Sequence, residues 1–195
     1  DRENYQRNYI IHGIRDLDED DYIIISDVDE IPNLSKLSNI KKYKFTAFEQ
    51  KMFYYKINLI NKTYPTWIGS KMCQKKYLKS PQWLRDLKFK KRPFWRLDKF
   101  RLNNIISDGG WHFCNLKTPQ DLLYKYQNLC ETNDPIVFNE KIEEKYLNEE
   151  EIKKRVELGQ DIIGREDSFK KKDIDNSYPE YLLKNIENYK NFISK

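Results

Sequence analysis

Only three cysteines and two histidines occur among the 195 residues, and glycine and proline contribute just six and seven. Three thiols are too few for a disulfide scaffold, and Cys73, Cys114 and Cys130 lack the C-x-x-C spacing of a zinc site. They read as three buried thiols, with one pair plus a free thiol as the other arrangement. So little glycine and proline removes collagen-like and low-complexity architectures. No apolar run approaches the ~20 residues needed to cross a bilayer, so no membrane segment is expected. The opening Asp1-Arg2-Glu3-Asn4 is neither basic nor apolar, so no leader peptide is expected there, and the N-terminus reads as cut rather than begun.

What the chain does have is ring surface and charge. Aromatics make up 14% (14 Tyr, 10 Phe, 4 Trp), enough bulk for a core in a chain that is 38% apolar and 34% charged, which argues against disorder. The length predicts one domain. Lys and Arg exceed Asp and Glu by 36 to 31, and a net +5 suits a phosphate-bearing ligand as well as nucleic acid. Asn33-Leu34-Ser35 and Asn61-Lys62-Thr63 match the N-glycosylation acceptor pattern, a match that arises by chance in an Asn-rich chain.

Periodicity places a short helix over 5–14 that closes near Gly13, then an acidic turn at 16–21. Tyr22-Ile23-Ile24-Ile25 is a continuous apolar run between polar punctuation, the pattern of a buried central strand in an α/β sheet. Asn33 can cap a short helix carrying Leu34, Leu37 and Ile40, and 44–48 and 52–57 read as two strands. Residues 75–101 show little periodicity and read as loops and short strands; 105–113 read as a turn feeding a strand. Thr118-Pro119 opens a helix with Leu122, Leu123, Tyr126 and Leu129 on its apolar face. A second helix spans about 148–158 and stops at Gly159, and a third runs from 179 to 193.

The sharpest feature is Ile23-Ile24-Ile25-Ser26-Asp27-Val28-Asp29-Glu30. Carboxylates directly after an apolar strand sit at its C-terminal edge, where open α/β sheets bind ligands. Asp27 and Asp29 are two apart, so an extended segment would put both on one face, where two like charges call for a cation between them. Hard carboxylate oxygens suit Mg²⁺ or Mn²⁺, which can bridge the phosphates of a nucleotide. A solvated acidic turn is the plainer reading of the same triplet. Two enzyme classes use such a motif: haloacid-dehalogenase-like phosphatases, with Asp27 as the phosphoryl nucleophile, and glycosyltransferases of the GT-A fold, with the pair on a metal-diphosphate.

Four blocks occur in order: Arg2-Glu3-Asn4-Tyr5-Gln6-Arg7-Asn8, then Ile24-Ile25-Ser26-Asp27-Val28-Asp29-Glu30-Ile31-Pro32, then Gly109-Gly110-Trp111-His112-Phe113, then Pro179-Glu180-Tyr181-Leu182-Leu183-Lys184-Asn185. On these the chain resembles glycosyltransferase family 17, the β-1,4-mannosyl-glycoprotein β-1,4-N-acetylglucosaminyltransferase family, over nearly its whole length. The resemblance implies a single GT-A-type domain over 1–195, a mixed sheet flanked by helices, with C-terminal helices from about 118 onward. It implies a metal-dependent inverting transfer, with UDP-GlcNAc as donor, Mn²⁺ or Mg²⁺ as cofactor and a glycan hydroxyl as acceptor. Asp29 would be the principal metal ligand, Asp27 would contact ribose or the metal's water shell, and His112 would complete the metal site. Inverting transfer needs a carboxylate to take the acceptor's proton. Asp108 is the first candidate and Glu30 the second; Asp108 reads equally well as a turn former before Gly109 and Gly110. Gln6 and Arg7 are candidates for donor or structural contacts.

Two features stand apart. Lys88-Phe89-Lys90-Lys91-Arg92-Pro93-Phe94-Trp95-Arg96 mixes cations and rings as single-strand binders do, so a non-enzymatic basic nucleic-acid-binding module stands as a third reading. No recognition signature for nucleic acid accompanies it, and none is expected as partner. Only 26 residues precede Asp27, which predicts a GT-A domain without its first β-α unit and hence weak donor binding.

Overall fold

The computed structural model describes residues 2–38, 43–89, 103–128 and 144–194. The chain folds as two compact units, Asp1–Lys51 with Trp67–His112 and Met52–Thr66 with Phe113–Lys195.

The first unit begins with α1 (Arg2–Tyr9), continued by a 3₁₀ turn over Ile10–Ile14 that contains Gly13. β1 (Tyr22–Ile25) pairs antiparallel with β5 (Thr66–Gln74), with Ile25 opposite Lys71. β6 (Asn103–Ile106) runs parallel to β3 (Phe45–Tyr54), and β2 (Glu30–Pro32) pairs antiparallel with β7 (Gly110–Cys114). A parallel pair beside antiparallel ones makes the sheet mixed, and helices accompany it, as the sequence leads one to expect.

β1 does not occupy the central place its composition suggests. Among the described residues it has a single ladder partner, β5, and borders the sheet. Its run is apolar because both faces meet apolar side chains. Ile23 and Ile25 are buried with Cys73 and Leu84, while Tyr22 and Ile24, half-buried, lie against Phe48, Met72 and Ile106. A continuous apolar run reports apolar neighbours on both faces; it does not count neighbouring strands.

Leu84 comes from α2 (Pro81–Asp86), a helix in the stretch read as loops and short strands. Its start signal was present: Ser80 caps it, accepting from the Trp83 amide at 3.1 Å, and Pro81 fills the first turn. The two strands expected at 44–48 and 52–57 are one, β3, because Gln50 is buried inside it with its amide donating to Ser70 Oγ at 3.1 Å. A satisfied polar residue does not interrupt a strand. After Asn33, which accepts from the Ser35 amide, there is one 3₁₀ turn, Leu34–Lys36. Ile40, residues 90–96 of the basic aromatic stretch, Phe100, Leu129 and Cys130 lie outside the described residues.

In the second unit, the end of β3 pairs with β4 (Leu59–Asn61), which pairs with β8 (Phe169–Lys171). α3 (Pro119–Asn128) is capped by Thr118 and α4 (Glu149–Glu157) by Asn148. α4 ends before Gly159, whose φ of +66° is the left-handed stop the sequence signals. Leu122, Tyr126, Ile152 and Val156 pack with Tyr55, Leu59, Ile162 and Phe169. Beside them the fully buried Asp161 accepts from the Tyr55 hydroxyl at 2.9 Å and Arg165 at 3.0 Å. The single helix expected over 179–193 is divided into α5 (Glu180–Lys184) and a 3₁₀ turn over Ile186–Phe192. Asn185 makes the break: its side-chain amide bonds back to the Tyr181 carbonyl, competing with helical pairing. Asn61 of the second glycosylation triplet is buried, and its carbonyl oxygen serves the Thr63 and Tyr64 amides, so it is closed to modification in the folded chain.

Candidate functional site

The acidic segment after β1 lies in the first unit and is a turn. The Glu30 amide donates to the Asp27 carbonyl at 3.0 Å, with Val28 fully exposed at the tip. This corrects the expectation that Asp27 and Asp29 share a face of an extended segment, because a turn rotates successive side chains apart. Asp27 lies between two guanidiniums, Arg85 at 2.6 Å and Arg7 at 3.3 Å. Asp29 instead meets His112, Oδ2 to Nε2 at 3.3 Å.

Glu30 has no exposed side-chain surface. Arg85 donates to both its oxygens, at 2.6 and 3.1 Å, in the fork geometry that guanidinium and carboxylate favour. Trp67 Nε1 donates to it at 3.1 Å, the Asp27 amide at 3.2 Å and Ser70 Oγ at 3.4 Å. Gly69 of β5 makes room for this: a Cβ there would lie 2.8 Å from the Glu30 carboxyl carbon and 1.9 Å from Gln50 Oε1. Arg85 thus ties Glu30 to Asp27, and its second nitrogen also donates to the Gly69 carbonyl at 2.7 Å.

His112 is brought to Asp29 by strand register. Glu30 stands opposite His112 in the β2–β7 ladder, so the residue before Glu30 sits beside the imidazole. His112 is buried, and Asp29 is half-buried. Carboxylate oxygen and imidazole nitrogen are donors that a first-row divalent ion takes together. Cys114, two residues along β7, shares the strand face of His112.

No family model matches this chain, and neither the curated proteins nor the solved structures contain a match.

Asp108 is placed elsewhere. It occupies the turn before β7 at φ +51°, a conformation Asp tolerates, and pairs with Lys51 at 2.8 Å and Lys36 at 3.8 Å. Since Pro32 faces Gly110 while Glu30 faces His112, Asp108 lies at the opposite end of this ladder from Asp29. Arg7 is part of the Asp27 cluster, whereas Gln6 lies on the exposed side of α1. Arg85 and Trp67 carry much of the site and went unmarked in the sequence, because a lone Arg in an unassigned helix and a lone Trp in an unassigned strand have no local signature. A groove of about 430 Å³, lined by Ile11, Ile14, Lys75 and Leu78 among others, lies near the start of β1, where the Lys75 amide bonds the Asp21 carbonyl, away from the carboxylates.

The helix that carries Arg85 is anchored by Lys71. This buried ammonium donates to the carbonyls of Arg85 and Leu87, the latter at 2.6 Å, at the C-terminal end of α2. Burial, and then the charge of Arg85, push it down from its ordinary 10.5 to about 8. Between about pH 8 and 10.5 the unfolded chain holds the proton more tightly, so the contribution of Lys71 to stability rises with pH through that window. In urea titrations, wild type is expected to gain on a Lys71→Met variant from pH 7.5 to 10.5; a constant difference would contradict this.

Proposed function

We propose that this chain is a metal-dependent inverting glycosyltransferase of GT-A type, moving GlcNAc from UDP-GlcNAc onto a glycan hydroxyl. The observation that carries the reading is the Asp29–His112 pair, held by strand register just beyond the C-terminal end of an apolar strand. Its donor set fits Mn²⁺ better than Mg²⁺, which prefers oxygen alone. Asp29 and His112 would hold the ion, which when bound supplies positive charge to a departing diphosphate.

The charged groups around the pair are engaged within the protein. Arg7 and Arg85 hold Asp27 in place, their charges being taken up by Glu3, Asp27 and Glu30. Both oxygens of Glu30 are already engaged by donors, and Asp108 lies at the far end of the β2–β7 ladder paired with Lys51 and Lys36, so neither carboxylate is assigned as the group that takes the acceptor's proton. The same engagement weighs against a phosphatase, since both Asp27 oxygens face guanidiniums and a phosphoryl nucleophile needs one free.

Calorimetric titration with UDP is expected to show binding that requires Mn²⁺ and that weakens about 100-fold or more in Asp29→Ala. Metal-independent UDP binding, or full affinity in the variant, would refute the assignment. A donor-hydrolysis panel with and without Mn²⁺ then identifies the sugar.

A further inference from the structure

The indole of Trp67 is held in an unusual way. Its Nε1–H points inward to the fully buried Glu30 carboxylate at 3.1 Å, yet the residue remains 43% exposed. The polar edge is therefore spent inside the fold, while the residue as a whole still meets water. Because that hydrogen bond already fixes the ring, a ligand stacking on it would lose little side-chain entropy at this position. The ring of His112 lies 6.0 Å away, and His112 in turn meets Asp29. A fixed indole thus lies near His112, on whose imidazole a half-buried carboxylate closes.

We infer that Trp67 is a stacking platform for a pyranose ring, which lays its C–H face on the indole while its hydroxyls donate to the neighbouring carboxylate. A carboxylate accepts hydrogen bonds, and a sugar offers hydroxyl donors together with a C–H face for the ring, a combination that a phosphate lacks. Ligand sites combine apolar surface with a few placed polar groups in this manner. The inference rests on the transferase reading, because it assigns a ligand to the same site, and the ring could belong to the donor sugar or to the acceptor glycan.

The test uses the four indole N–H signals of the intact chain in a heteronuclear NMR spectrum, with that of Trp67 assigned by its loss in Trp67→Phe. Mg²⁺ replaces Mn²⁺ to avoid paramagnetic broadening, at a concentration where calorimetry shows UDP bound, because the oxygen-nitrogen donor set favours Mn²⁺. A saturable shift of the Trp67 signal with chitobiose or mannobiose alone places the acceptor there. A shift with UDP-GlcNAc and Mg²⁺, but not with UDP and Mg²⁺, places the donor sugar there. Trp67→Ala is expected to weaken that binding about tenfold or more and Trp67→Phe, which keeps a ring, only a few-fold. A Trp67 signal that no sugar moves, or that UDP alone moves equally, overturns the platform. The two readings separate cleanly: Asp29-dependent UDP binding with Trp67 unmoved removes only the platform, whereas a sugar-induced shift without metal-dependent UDP binding keeps the platform and removes the transferase.

Discussion

A Glu30→Ala variant is expected to unfold in urea with about 3–5 kcal/mol less stability than wild type. The carboxylate has no exposed surface and Arg85 is only 12% exposed, so the alanine leaves a guanidinium facing a cavity with Asp27 as its remaining charged partner. Removing one member of a buried pair costs far more than the pair itself contributes, because the survivor keeps its desolvation penalty. Trp67 Nε1 and the Asp27 amide would lose their acceptor in the same step. Glu30→Gln, which retains one accepting oxygen, should lose less. Adding Arg85→Met to Glu30→Ala should recover part of the loss, since the stranded charge goes with it. A loss below about 1 kcal/mol in Glu30→Ala would show that the carboxylate is hydrated and that the network does not exist.

Gly110→Ala is expected to be comparably damaging and to act through the backbone. Gly110 has φ +142°, where side chains other than glycine's are strained, and an added Cβ would lie 2.1 Å from the Ile31 carbonyl and 3.0 Å from the Asn33 amide and Pro32 Cα. These are main-chain atoms, so β2 has to move off β7. Strain of this kind costs roughly 1–3 kcal/mol, and the clash adds to it, so a loss of about 3 kcal/mol or more is expected by urea denaturation. The same β2–β7 register sets Asp29 beside His112, so the metal-dependent UDP binding proposed for this site should fall with it. Gly13→Ala, where a Cβ meets nothing within 4 Å, serves as the control and should leave both properties near wild type. Wild-type stability in Gly110→Ala would mean that the strands are not paired as described.

How much of this could be read in advance depends on the range of the interaction. Caps and stops are local: Thr118-Pro119, Asn148 and Gly159 act within one turn, and the helices begin and end where those residues indicate. Ser80-Pro81 carried the same signal but was masked by the charged, aperiodic sequence around it. Strand identity was legible at Tyr22–Ile25, yet its place at the sheet border was not, because apolar neighbours on both faces give the same sequence pattern in either position. Gln50 shows the converse: a polar residue suggests a break until its partner Ser70, 20 residues away, is known.

The candidate site divides in the same way. The sequence by itself determined that a short acidic segment follows an apolar strand, that Asp108-Gly109-Gly110 makes a turn, and that histidine is nearly absent, all of them properties of adjacent residues or of composition. The tertiary structure alone decided that Asp27 and Asp29 part company, one to two arginines and the other to a histidine, and that Glu30 is the buried hub of Arg85, Trp67 and Ser70. The partners of these carboxylates lie 20 to 83 positions away along the chain, and what brings them together is strand register and the gap left by Gly69. Spacing in a sequence constrains side chains only through the local backbone, and a single turn at 27–30 was enough to undo the shared face that spacing implied.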